Sequence, residues 1–248
     1  MNMLARALRI GGNPMGNLRR VLAKPGEWKA VKVPLLEVSF TQPEVDAPTD
    51  VSFADPRGDV PLLNISSAAQ MAAVGFVFGS ALTARCLELH EQRFGGGYLG
   101  LVRFLGAVGT GAVFGTQFWK EQHPWLMGSS TPLFADGRPI PYLAAVGATV
   151  DVQLFGGWVT GLRAGRGQSG RFPLRVLHKM SPGAVARRLP DLLLGRRAAG
   201  IEDLETVQLV ELDGDFSLDG EVYRPAGQPV PLRISSPPWT LKFLVPTR

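Results

Sequence analysis

Short apolar runs interrupted by glycine and proline set the limits on what this chain can fold into. Thirty Gly and twenty Pro are spread through 248 residues, which favours β-structure with tight turns over a helical bundle. From Trp28 the residues alternate, and Leu36 to Phe40 continues that pattern as strand. Val60–Ile65, Leu133-Phe134, Pro139–Tyr142 and Leu143–Trp158 also read as strands. So do Phe172–His178, Thr206–Leu212, Phe216–Tyr223, Pro231–Ile234 and Thr240–Val245. Asp136-Gly137 and Asp219-Gly220 are dipeptides that tolerate positive φ, so each predicts a tight strand corner. Thr41 to Asp59, rich in Pro and Asp, predicts a loop or a ragged edge.

Helical signals are fewer. Leu4, Ala7 and Leu8 carry a helical spacing over Asn2–Leu8, and Leu18, Val21 and Leu22 predict a second short helix stopped at Pro25-Gly26. The glycines between them, Gly11 to Gly16, follow no strand and precede no Gly-Lys-Ser/Thr, which excludes a phosphate loop there. Ala68–Arg93 and Tyr98–Lys120 read as two small-residue helices separated by Gly95-Gly96-Gly97. Ala68–Ala84 lies at the short end of the about 17–25 residues a membrane span requires and contains Gln70. Tyr98–Phe118 contains Arg103 and several glycines, so both windows read as packed helices. Ser181-Pro182 opens a last helix, with Ser as cap and Pro at the first position, and Pro190 should kink it. The sum is an α+β protein, a β-rich sandwich with helices at one side, long enough to bury a proper core.

Composition narrows the chemistry. Cys86 is the single cysteine, which excludes an intrachain disulfide and multi-cysteine metal sites and suits a reducing cytoplasm. His90, His123 and His178 lie far apart without ligand spacing, so no zinc site is expected. No apolar run of signal-peptide length follows Arg6 and Arg9. The net charge of +5 is uneven: Arg163 to Arg197 holds nine Arg or Lys against the single acid Asp191. Such a basic field attracts phosphates, on a nucleotide or on an anionic membrane surface, or it is simply a solvated face. Aromatics are not interleaved with these arginines, which argues against nucleic acid.

The strongest candidate for chemistry is Asp215 to Tyr223, where Asp219 and Glu221 frame Gly220. Two carboxylates held two residues apart can act as a base and its orienting partner, although most Asp-Gly pairs are only turns.

MNMLARAL at the N-terminus, DGEVY at 219–223, the Pro-containing strand after it and LKFLVP at 241–246 resemble the diacylglycerol kinase and sphingosine kinase family. The resemblance implies a nucleotide-binding α/β domain, of which residues 1–25 are a remnant, and a β-sandwich lipid domain over residues 26–248. It implies phosphoryl transfer from ATP, with Mg2+, to a diacylglycerol-like lipid hydroxyl, in the cytoplasm or at the inner face of a membrane. Glu221 is then the catalytic base with Asp219 beside it, and Asn2 belongs to a nucleotide-contacting segment. The helices at Ala68–Arg93 and Tyr98–Lys120 would wall the lipid cleft.

The departures are as informative as the match. The family's Gly-Gly-Asp-Gly-Thr loop has no counterpart in these residues, and Ser169-Gly170 stands where the family carries an Asp-Gly near magnesium. A serine does not replace a carboxylate's charge at a hard cation. The chain by itself is therefore expected not to phosphorylate lipid, and a non-catalytic lipid-binding module is the alternative.

Overall fold

The structure, a computed structural model, describes residues 19, 21–41, 70–95, 98–127, 132–154, 159–163, 170–193, 195–223 and 232–246. Two six-stranded antiparallel sheets face each other across one core. With strands numbered in chain order, one sheet runs β3 (Gln70–Gly75), β2 (Leu36–Thr41), β15 (Leu232–Ser235), β12 (Leu209–Leu212), β5 (Leu133–Ala135), β6 (Arg138–Ile140). The other runs β11 (Ile201–Val207), β10 (Phe172–His178), β7 (Tyr142–Ala148), β4 (Val77–Ala81), β13 (Phe216–Leu218), β14 (Glu221–Tyr223). A two-stranded ribbon, β1 (Trp28–Pro34) with β16 (Thr240–Pro246), covers a smaller core of Val33, Val77, Val150, Val152 and Leu162. β8 (Val152–Leu154) pairs with β9 (Val159–Leu162). Helices α1 (Leu82–Phe94), α2 (Tyr98–Phe114) and α3 (Gln117–Leu126) are inserted between β4 and β5, and α4 (Pro182–Leu193) between β10 and β11. This is the α+β sandwich that the patterning predicts.

The core is filled from both sheets: Val38, Leu133, Val210 and Ile234 from one meet Phe78, Phe172, Leu174 and Phe216 from the other. Phe78 and Phe172 meet edge to face, their centroids 6.4 Å apart. Each such side chain contributes about 1.5–3 kcal/mol when removed from water. The inserted helices bury their own cluster of Leu89, Phe104 and Leu126, with Phe94 edge-on to both Phe104 and Phe118 at 5.6 Å.

The two sheets are built by two halves of the chain with the same plan. β2 to β7 and β10 to β15 each lay down an antiparallel pair, send the next strand into the opposite sheet, form an Asp-Gly hairpin and close with one more strand. The equivalence holds residue by residue. Leu133 opposite Ile140 matches Phe216 opposite Tyr223, and Val210 opposite Ala135 matches Phe78 opposite Leu218. Val38 opposite Ile234 likewise matches Leu174 opposite Gly147. The chief difference is that the first half carries α1–α3 where the second has only Asp213 to Asp215.

Three expectations are corrected. Ala68–Arg93 is not one helix: Gln70–Gly75 and Val77–Ala81 are strands, and helix begins only at Leu82. β4 is buried at every residue, so it shows no polar alternation, and a short apolar run of that kind does not distinguish helix from strand. Tyr98–Lys120 is two helices: Gly115, at φ 65°, ends α2, and the Thr116 hydroxyl caps α3 by accepting the Trp119 N–H at 3.3 Å. Leu143–Trp158 is interrupted after Ala148, where the Thr149 N–H turns to the Phe76 carbonyl at 2.8 Å.

Ser181 does cap its helix, accepting the Ala184 N–H on its hydroxyl at 3.4 Å, and α4 runs through Pro190 to Leu193. The readings on Asn2–Leu8, Gly11–Gly16 and Val60–Ile65 lie outside the described residues. Among the described residues, no helix is long and apolar enough to cross a membrane.

Candidate functional site

The Asp219-Gly220 corner joins β13 to β14, the last strand of its sheet among the described residues. Asp219 at φ 51° and Gly220 at φ 98° are both left-handed, the geometry that lets a two-residue turn follow the strand twist. Asp and Gly are the residues that adopt it with least strain. The Asp219 carboxylate turns back onto the sandwich, where its Oδ1 accepts the Phe76 N–H at 3.0 Å and the Val77 N–H at 2.9 Å. The Asp219 N–H donates to the Val77 carbonyl at 2.8 Å. The hairpin is thus clamped to the link between β3 and β4. Gly75 must be glycine for this approach: a Cβ there would stand 2.7 Å from Leu218 Cγ and 2.9 Å from Asp219 Oδ2.

The first half repeats the clamp. Asp136 and Gly137 are left-handed at φ 49° and 79°. Asp136 Oδ1 accepts the Gln208 and Leu209 N–H groups at 3.0 and 2.9 Å, and the Asp136 N–H donates to the Leu209 carbonyl at 2.9 Å. Asp219 therefore orients β14 through the backbone, as Asp136 orients β6.

Glu221, the first residue of β14, is exposed. It stands opposite Leu218, whose side chain enters the core, so Glu221 emerges at the core's rim. The Tyr223 hydroxyl donates to Glu221 Oε2 at 3.1 Å. The Tyr223 ring lies stacked on Phe216, centroids 4.9 Å apart and planes within 7°. Burial pushes the Asp219 carboxyl above the usual carboxylate range, against the two amides that pull it down, with the Glu221 charge adding to the rise. Burial and the Glu221 carboxylate push the Tyr223 phenol up as well. On the opposite face of β14, Val222 and the α1 residues Glu88, Glu91 and Gln92 line an open depression of about 330 Å³.

Asn2 lies outside the described residues, as do Arg166 and Ser169. Of the basic segment, Arg175 is held inside the fold. Its guanidinium grips Asp203 in a bidentate pair at 2.6 and 2.8 Å and donates to the Gly195 carbonyl at 3.1 Å. Arg188 pairs with Asp191 and Arg197 with Glu205, while Arg163, Arg171 and Lys179 are exposed. Among the described residues, no group of three His, Cys, Asp or Glu can hold a metal ion.

The sequence singles out Asp219 and Glu221, and the structure places both on one corner. Sequence reasoning misses Tyr223 as the partner of Glu221 and the amides of Phe76 and Val77 as the partners of Asp219. The second Asp-Gly corner, at the matching place in the other half, is the one signal that could have revealed the clamp.

No protein-family model matches the chain, and no curated protein does. Solved structures similar to it include a diacylglycerol kinase from Bacillus anthracis str. Sterne, at 10% identity and TM-score 0.47, covering 96% of this chain and 63% of that one. Another is yeast NADH kinase in complex with NADH, at 8% identity and TM-score 0.42, covering 96% of this chain and 51% of that one. The chain spans less than two thirds of the length of either protein.

Proposed function

We propose that this chain is the lipid-side part of an ATP-dependent lipid kinase, with Glu221 as the general base. One observation carries the reading. A carboxylate stands just after a clamped Asp-Gly corner at the rim of the core, exposed, held by a tyrosine hydroxyl and, among the described residues, paired with no cation. Such a group is free to accept a proton from a hydroxyl brought to the edge of the sandwich. In the transfer, the lipid O–H bond breaks and its proton passes to the Glu221 carboxylate. The lipid oxygen bonds to the γ-phosphorus of ATP, and ADP leaves with the electrons of the broken P–O bond. The substrate class, a diacylglycerol-like lipid, comes from the sequence resemblance, and contact of the exposed arginines and Lys179 with an anionic surface rests on the basic charge of Arg163 to Arg197.

ATP is the phosphoryl donor in this reading, and its phosphate cradle is supplied from outside these 248 residues, which contain no Gly-Gly-Asp-Gly-Thr segment. The steps assigned to the described residues are proton acceptance and positioning.

The test measures ATP-dependent phosphorylation of diacylglycerol in mixed micelles. The chain is assayed alone and joined to a nucleotide-binding domain that carries the missing loop. Alone it should transfer nothing measurable; joined it should transfer, and Glu221→Gln should lower turnover by roughly a hundredfold to ten-thousandfold. Full turnover in Glu221→Gln would end the base assignment. Lipid binding without transfer in either form would favour a non-catalytic binding module.

A further inference from the structure

We propose that Tyr223 is a positioning residue whose hydroxyl holds the Glu221 carboxylate in one orientation at the rim of the core. This rests on Glu221 being the base. The two halves of the sandwich, set side by side, point to it.

In the first half, Ile140 occupies the place of Tyr223, opposite Leu133 instead of Phe216. Ile140 is 1% exposed and Leu133 fully buried, so an aliphatic pair closes that edge of the core without any hydroxyl. A phenolic oxygen is not what the fold requires at this position. In the first half Arg138 stands at the place of Glu221, and its charge is used within the fold. Arg138 Nη1 lies 3.0 Å from Glu202 Oε1, and the other oxygen of Glu202 lies 3.0 Å from His178 Nε2. The first corner is therefore tied to β11 of the facing sheet through its side chain, whereas among the described residues the second leaves its carboxylate outside any such pair.

The second half replaces those ties with one directed bond. A glutamate at an exposed edge turns freely about three side-chain torsions and loses catalytic orientation accordingly. Tyr223 restricts that freedom from a fixed base, because its ring is stacked on fully buried Phe216. Its hydroxyl has a ready acceptor in Glu221 Oε2. Among the described residues Oε1 accepts no bond, which leaves it to a substrate hydroxyl. Burial, and after it the Glu221 carboxylate, push the Tyr223 phenol up.

The test needs no turnover. Three-bond couplings to Glu221 Cγ, measured on isotopically labelled Met1–Arg248, report its χ1 rotamer. A single staggered rotamer is expected in the native chain, and values averaged over several wells in Tyr223→Phe and in Tyr223→Ile, the residue used by the first half. Averaging already in the native chain, or couplings unchanged in Tyr223→Phe, would overturn the proposal.

A second readout covers the case in which a Tyr223 variant does not fold. With 13Cζ-labelled tyrosine, Glu221→Gln should move the Tyr223 titration to lower pH and leave Tyr98 and Tyr142 in place. No movement of Tyr223 would refute the contact. Failure of the base assignment shows separately, as full turnover in Glu221→Gln, and leaves these couplings and titrations as they are.

Discussion

Replacing Asp219 by Ala and by Asn separates an acceptor from a charge. Alanine removes both bonds from the Phe76 and Val77 amides, 3.0 and 2.9 Å long. Each contributes about 1 kcal/mol where the amide is partly reachable by water, as at Phe76. Alanine at φ 51° costs about 1 kcal/mol more, since only Gly, Asn and Asp adopt that region readily. The sum is about 3 kcal/mol, and at roughly 2–4 °C per kcal/mol for a chain of this size the melting temperature should fall by about 6–12 °C. Asparagine keeps an Oδ1 acceptor and tolerates positive φ, so Asp219→Asn should lose less than about 1 kcal/mol.

Urea denaturation monitored by circular dichroism measures both variants. Alanine within about 0.5 kcal/mol of the native chain would show that the amides are satisfied without the clamp. Asparagine as damaging as alanine would show that charge, and not acceptor geometry, is what matters. The same pair at Asp136 should give losses of the same size, because that corner makes the same three bonds.

Other perturbations address the surroundings. Arg175→Met should destabilise by about 3 kcal/mol by leaving Asp203 without its buried partner, while binding to anionic vesicles should not change; urea titration and vesicle sedimentation read the two. Gly75→Ala should destabilise by about 1–3 kcal/mol, because its Cβ would overlap Leu218 and the Asp219 carboxylate; thermal unfolding measures it. Glu221→Gln should leave the melting temperature within a few degrees of the native value, since its side chain is exposed and its hydrogen bond is to Tyr223 at the rim.

Local sequence determined a good deal of this protein. The Asp136-Gly137 and Asp219-Gly220 corners are legible because the left-handed geometry of a two-residue hairpin admits few residue types. Phe172–His178, Phe216–Tyr223, Pro231–Ile234 and Thr240–Val245 are legible because β-branched and aromatic residues in short runs bounded by turn residues favour strand. Ser181-Pro182 announces its helix for an equally local reason, a hydroxyl placed to accept the Ala184 N–H.

Tertiary structure decided what depends on distant partners. Ala72 to Ala81 carries no period that distinguishes helix from strand, and it becomes two strands because β2, β7 and β13 offer it ladders. Gln208 interrupts what reads as one strand from Thr206 to Leu212, since its amide is drawn to Asp136 across 72 residues of sequence. Asp219 reads locally as a companion for Glu221, yet its carboxylate is held by amides 142 and 143 residues away. No local pattern registers such a bond, because its acceptor and donors become neighbours only when the two sheets are assembled.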